Sequence, residues 1–223
     1  MKKFRHAENK PILQELNVIT EETGRRYQTP AGLWYPSITT VLSVASRDGI
    51  AAWKEKVGEE YAESVKRRAG NRGTRFHDFA ERYLKNEEVN LDKLNFLERD
   101  VFQRAIPVID RIDNILIQEA PLYSDYLQIA GRVDCIAEFD GKLSIVDFKT
   151  AAREKDEDHV QHYYAQTAAY AIMFEERTGI PITNLVLIVA TDLGFVNIMR
   201  SKRDNHVKDL LAWRKQYREE YGM

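Results

Sequence analysis

The sequence predicts a single α/β domain with a central mixed β-sheet flanked by helices. Three observations carry this. Helical stretches come first, then a run of strands, a helix, further strands and a last helix, an order that suits one sheet covered by helices. Asp140-Gly141 sits between two apolar runs and is a strong hairpin signal. The 223 residues, 43% of them hydrophobic, suit one domain with a full core.

Residues 1–15 are polar and expected to be loosely ordered. Residues 16–35 read as a short β-hairpin around Thr23-Gly24-Arg25, ending in Trp34-Tyr35. Pro36-Ser37 opens a helix with Ser37 as its N-cap. Residues 50–85 read as helical, with a break expected near Gly70-Asn71-Arg72-Gly73. A helix over 91–113 carries Phe96, Leu97, Val101, Phe102, Ile106 and Ile109, and Pro107 is expected to kink or divide it. Strands follow at 114–123, 129–139 and 142–149. A helix at 158–178, strands at 184–191 and 195–200, and a helix at 203–220 complete the chain. The last helix carries Val207, Leu210, Leu211, Trp213 and Tyr217; this stripe, Trp34 and Trp53 are expected to pack. Residues 1–35 form an N-terminal extension with the hairpin, 36–200 the core and 201–223 the C-terminal helix.

Composition excludes several classes. Cys135 is the single cysteine, which rules out an internal disulfide and a cysteine-bound zinc or iron–sulfur cluster. No apolar run approaches the roughly 20 residues of a membrane span, and no apolar stretch follows Met1-Lys2-Lys3, so neither a membrane nor a secretory signal is expected. A cytoplasmic protein is the natural expectation. The formal net charge of −2 means that any polyanion site comes from local clustering.

The chemistry concentrates between Gly131 and Thr150. A two-residue turn at Asp140-Gly141 sets Phe139 opposite Lys142, Ile136 opposite Ile145 and Asp134 opposite Asp147. Opposed residues have Cβ atoms about 4.5–5.5 Å apart, where like charges repel. A divalent cation turns that defect into a site, since Mg²⁺ takes oxygen ligands from one or two carboxylates plus substrate phosphate. Alternation puts Lys149 on the face of Asp147. Phe148 points to the other face, and its carbonyl is a candidate further ligand. Cys135 points away from Asp134 and reads as a small buried apolar side chain. A plain polar hairpin edge is the rival, weakened by the apolar run from Leu143 to Phe148.

His77 and Glu81 are four apart on a helix, as are Gln166 and Tyr170. Imidazole suits Mn²⁺ or a transition metal better than Mg²⁺ alone, and a structural histidine is the rival. Lys66, Arg67, Arg68, Arg72 and Arg75 form a basic run leading into His77. Phosphate contacts dominate nucleic-acid affinity; a solvated helix face explains the run more blandly. Ser37, Thr39 and Thr40 offer hydroxyls and a helix N-terminus to a phosphate, though capping alone accounts for Ser37. Tyr163 and Tyr164, with His159 and His162, either stack bases or fill core. Glu119, two residues before Pro121, reads as a strand end.

Asp134, with Asp147-Phe148-Lys149 thirteen residues on, resembles the PD-(D/E)xK nuclease core. Gly131-x-x-Asp134 and Asp147-Phe148-Lys149-Thr150 resemble its RecB-type and phage exonuclease branch. Arg72-Gly73-Thr74-Arg75-Phe76-His77-x-x-x-Glu81 resembles the upstream helical motif, and Gln166-Thr167-Ala168-Ala169-Tyr170 the downstream Gln-x-x-x-Tyr motif. Pro36-Ser37-Ile38-Thr39-Thr40-Val41-Leu42 is similar to the opening of the mitochondrial genome maintenance exonuclease group. Val133 stands in place of the name-giving proline.

The resemblance implies a restriction-endonuclease-like core and hydrolysis of DNA phosphodiesters with Mg²⁺ or Mn²⁺. Most specifically it implies an exonuclease on single-stranded ends, serving replication, recombination, repair or phage DNA metabolism. It implies Asp134, Asp147 and Lys149 as the catalytic set, and His77, Asp134, Asp147 and the Phe148 carbonyl as metal ligands. Ser37, Arg72, Arg75, Gln166 and Tyr170 become substrate contacts, with Glu81 and Glu119 as further candidates. Lys149 would orient or deprotonate the attacking water, or stabilise charge on the phosphate. Two other readings stay open. One is a structure-specific endonuclease of the same superfamily. The other is a catalytically idle DNA-binding subunit, against which the complete set of Asp134, Asp147 and Lys149 argues.

Overall fold

The structure, a computed structural model, describes residues 2–154, 156 and 160–222. The expected N-terminal hairpin is present and gains a third strand, giving an antiparallel sheet of β1 (Asn17–Glu21), β2 (Gly24–Gln28) and β3 (Trp34–Pro36). Ser37 caps α1 (Ile38–Leu42), its Oγ accepting the Thr40 N–H at 3.0 Å. A 3₁₀ turn at Ser43–Ala45 leads into α2 (Arg47–Val57) and α3 (Glu59–Leu84).

The helical break falls at Gly58, with φ +87, and not at Gly70–Gly73, through which α3 runs unbroken. An interior glycine costs a helix about 1 kcal/mol relative to alanine. The 26-residue α3 carries that cost because Phe76, Phe79, Ala80, Tyr83 and Leu84 anchor its C-terminal half in the core. Its N-terminal half buries Ala62 alone and α2 buries nothing, so the two form a helical hairpin standing off the core. Trp53 is accordingly exposed on α2, against the packing role expected of it.

Asn95 caps α4 (Phe96–Ile109), which is shorter than the expected 91–113. Pro107 lies in its last turn and does not divide it. The main sheet has the order β4 (Ile112–Ser124), β5 (Ile129–Phe139), β6 (Lys142–Ala151), β7 (Asn184–Thr191) and β8 (Val196–Lys202). β6 and β7 are parallel and the other neighbours antiparallel. α5 (Gln161–Thr178) lies within the β6–β7 crossover, and α6 (Val207–Tyr221) closes the fold. The start of α5 expected at 158, and His159, lie outside the described residues.

The sheet separates two cores. Ile136, Ile145 and Leu187 point towards α1, α5 and α6, with Leu210 and Tyr217 as the buried part of the last helix's stripe. Cys135, Val146, Phe148 and Ile188 point towards α3 and α4. The first residues are pinned, not loose: the Phe4 ring meets Tyr83 edge-on at 5.2 Å, and backbone bonds link Arg5 and Ala7 to Ile115 at 2.9 Å. That short segment covers the outer edge of β4, which would otherwise present unpaired backbone groups. Among the described residues, no helix is long and apolar enough to cross a membrane.

Candidate active site

The β5–β6 hairpin forms as its turn dictates. Asp140 has φ +50 and Gly141 φ +74, the paired left-handed conformations of a type I′ turn. Phe139 pairs with Lys142, Ile136 with Ile145 and Cys135 with Val146. One further step in that register sets Asp134 opposite Asp147. On its other side β5 pairs with β4 through Gln118–Cys135 and Ala120–Val133, so Glu119 stands opposite Asp134. Glu119, Asp134 and Asp147 thus form a row across three strands. Glu119 lies inside β4, not at its end, and has φ +47. A non-glycine residue held there costs on the order of 1–3 kcal/mol, and such residues cluster at functional sites. The Arg132 guanidinium donates to the Glu119 carbonyl and helps to hold it.

His77 of α3 closes on this row, its Nδ1 3.5 Å from Asp134 Oδ2. The Phe148 N–H donates to the same oxygen at 2.9 Å. One ligand atom each from His77, Glu119 and Asp134 lies within 4.8 Å of the others, a grouping able to hold a metal ion. Asp147 turns differently: Oδ1 accepts from Gln166 Nε2 at 3.3 Å, and Oδ2 lies against the Lys149 ammonium. The Lys149 Nζ sits 5.3 Å from the centre of the Tyr163 ring.

Electrostatics mark the row as short of positive charge. Burial, then the charges of Asp134 and Glu81, push the Glu119 carboxyl up to about 7. Burial pushes Asp147 up to about 6, with the Asp134 charge adding and Lys149 opposing. Asp134 moves the other way: burial would raise it, but the hydrogen bond and charge of His77, then Lys149 and the Phe148 N–H, hold it below the usual range. His77 is raised by Asp134 against its own burial. Lys149 is raised by Asp147 and Asp134, also against burial. Two carboxyls pushed towards neutrality beside a third are what a divalent cation would relieve, and a histidine with three carboxylates is a donor set suited to one.

Gln166 also donates to the Tyr170 hydroxyl at 3.2 Å, so α5 braces the row from one side. Gly131 makes room for this. A Cβ there would come within 2.8 Å of Tyr170 Cε1 and 3.0 Å of Ile38 Cγ2. Gly131→Ala is therefore expected to lose about 1–3 kcal/mol by overpacking, read as a lower thermal midpoint. Gly70→Ala, with open space around its Cβ, is expected to gain up to about 1 kcal/mol.

The sequence model of the PD-(D/E)XK nuclease superfamily matches residues 98–220. The chain belongs to this superfamily. Mitochondrial genome maintenance exonuclease 1 of Homo sapiens is 25% identical over 129 residues, which cover 54% of this chain and 38% of that protein. The chain therefore matches well under half the length of its human relative. A crystal structure of a "Putative exonuclease" from Eubacterium rectale superposes with a TM-score of 0.49 at 15% identity, over 75% of this chain and 76% of that one. The α/β fold with its five-stranded mixed sheet agrees with the superfamily.

Within that superfamily frame, the expected site residues separate into three groups. His77, Asp134, Lys149, Gln166 and Tyr170 line one cavity of about 510 Å³, together with Glu119 and Ser37, and Asp147 is buried behind Lys149 and Gln166. The Ser37 hydroxyl caps α1 and contacts Thr39 and Thr40 at 2.9 and 2.7 Å. Glu81 is nearby but is engaged by Lys85 at 2.6 Å. Arg72 and Arg75 face a different cavity, paired with Asp192 and Glu98. Arg25, Tyr27 and Arg132 line the central cavity without having been singled out. The N-terminal hairpin brings the first two there, a long-range placement no local pattern announces. Of the aromatics read as either base-stacking or core, Tyr163 and His162 line the central cavity and Tyr164 is buried in the core.

Proposed function

We propose that this chain is a divalent-metal-dependent DNA exonuclease that hydrolyses phosphodiesters from single-stranded ends, in DNA maintenance or phage DNA metabolism. The observation that carries the reading is the row of Glu119, Asp134 and Asp147 with His77 on one side and Lys149 on the other. The name of the human relative supports the exonuclease part.

His77, Glu119 and Asp134 would hold the ion, with Asp147 and the Phe148 carbonyl as candidate further ligands. A bound Mg²⁺ or Mn²⁺ would supply Lewis acidity to the scissile phosphate and a lowered pKa to the attacking water. The chain's own groups do the rest. Asp147 holds the Lys149 ammonium against the cavity, with the Tyr163 ring near its Nζ. From there the ammonium meets negative charge developing on a phosphate oxygen. Gln166 fixes the Asp147 carboxylate, and Tyr170 fixes Gln166. Ser37 and the hydroxyls beside it offer donors to a phosphate at the cavity wall.

Digestion of end-labelled single- and double-stranded DNA with each metal tests the reading. Mononucleotides or short products from linear single strands are expected, and a closed circle is expected to survive. Cutting of the circle would make the protein an endonuclease, and no product from any substrate would make it an idle binding subunit.

A further inference from the structure

A second cavity, of about 400 Å³, opens at the C-terminal end of β6 and β7 on the sheet face opposite the carboxylates. Strand alternation produces the pairing: Lys149 lines the first cavity and Thr150, one residue on, lines the second. α3 repeats the division, with His77 in the first and Arg68, Arg72 and Arg75 in the second. Steps of four and three keep those arginines on one helix face. Asp192 and Glu98 occupy Arg72 and Arg75. Among the described residues, Arg68 and the neighbouring Arg67 have no acidic partner, and both are exposed.

Apolar side chains stand beside these arginines: Leu97, Val101 and Phe102 line the cavity with them, along with Asn71, Asn95, Glu98 and Asp192. Phe96 is 81% exposed and Leu97 65%, at the start of α4. Leu193 and Phe195 are exposed in the β7–β8 turn. That turn rests on α4, since a Cβ on Gly194 would meet Asp100 at 2.8 Å, one helical turn from Phe96 and Leu97. Guanidinium groups beside exposed rings are the combination that holds single strands. The cations track phosphates, and the rings stack bases of any sequence. A wholly apolar protein partner would leave Arg67 and Arg68 unanswered, whereas a polyanion answers both.

We infer that the face formed by Arg68 and Leu97 of the second cavity, their exposed chain neighbours Arg67 and Phe96, and Phe195, whose N–H donates to the lining Thr191 hydroxyl at 3.1 Å, is a nucleic-acid surface that holds a single strand outside the cleavage centre. It makes affinity grow with strand length. The inference takes its ligand class from the nuclease reading, and its test reads binding alone.

The test is fluorescence anisotropy of labelled oligothymidylates of 5 and 20 nucleotides, with EDTA present so that nothing is cut. The wild-type protein is expected to bind the longer strand more tightly. Arg67→Ala with Arg68→Ala is expected to weaken the longer strand by roughly tenfold. It should also flatten the log–log salt slope by about 1.4, at about 0.7 per lost phosphate contact. Phe96→Ala with Phe195→Ala is expected to weaken it by about 5-fold or more through lost stacking. An unchanged thermal midpoint shows that each variant folds. The inference is overturned if wild-type affinity does not depend on length, or if the substitutions weaken both strands alike or neither. It is overturned equally if the phenylalanine pair dissolves a dimer in sedimentation and leaves DNA binding untouched, since the rim would then be a self-association surface. Failure of the nuclease reading shows separately, as no cleavage of any DNA by the wild type with Mg²⁺ or Mn²⁺.

Discussion

Lys149→Ala is expected to lower cleavage by about 10²–10³-fold, the cost of removing one group that meets transition-state charge. Divalent-ion binding is expected to persist, because His77, Glu119 and Asp134 keep their grouping without it. DNA binding is expected to persist as well, since the strand-holding face inferred above lies in a cavity that Lys149 does not line. Single-turnover digestion beside a metal titration checks both halves, and normal cutting by the variant would sink the mechanism. Lys149→Arg then separates the two roles left for the ammonium. Arginine stays charged at any working pH, so recovery of activity assigns a charge role, and continued loss assigns a proton or a tight positional role.

Asp147→Asn is expected to lose activity and yet stabilise the metal-free fold at pH 7.5. Folding pushes this carboxyl from its ordinary value of 3.8 up to about 6, so the folded chain binds the proton more tightly than the unfolded chain. A group raised in this way contributes stability that is fully present below its unfolded value. That stability is lost as pH rises through the folded value. Glu119, raised from 4.5 to about 7, acts in the same sense over a slightly higher window. His77, raised from 6.5, extends the loss further. Asp134 is lowered and acts only below its ordinary range. The metal-free wild type should therefore melt at a higher temperature near pH 5 than near pH 7.5. Added Mg²⁺ or Mn²⁺ should restore the difference by binding the folded state. Asp147→Asn should flatten the profile, with a midpoint gain at pH 7.5 of about 2–4 °C per kcal/mol relieved. A profile that climbs from pH 5 to 7.5 without metal would contradict the charge crowding described for the row.

The parts of this molecule that could be read before its structure are those set by local chemistry. Asp140 and Gly141 both adopt positive φ because few other dipeptides do so cheaply. Every pairing from Phe139–Lys142 to Cys135–Val146 follows from that turn, and the same register continued sets Asp134 opposite Asp147. The strand at 184–191 and the cap at Ser37 are of the same kind. The parts that were not legible depend on distant contacts. The break at Gly58 and the continuity through Gly70–Gly73 were decided by which half of α3 finds a core. The N-terminal residues look polar in sequence, yet Phe4 finds Tyr83 and the backbone finds the edge of β4. The strand expected at 114–123 already ran past Glu119, but nothing local shows that Glu119 itself takes a left-handed conformation inside it. The basic run was legible as a stripe, but the face it presents was not, so Arg72 and Arg75 were expected beside His77 and lie around the helix from it.

The placement of β6 inside the sheet, between β5 and β7, sets an order of local opening. Amide protons of β6 are protected by the β7 ladder along Ser144–Ala151, by the β5 ladder as far as Val146, and by packed cores above and below. They should exchange with solvent close to the global unfolding limit. α2, with no buried residue, and the N-terminal half of α3 should exchange fastest among the helices. Asp147 and Lys149 would then stay rigidly mounted through every sub-global fluctuation, while the helical hairpin beside the site opens and recloses many times.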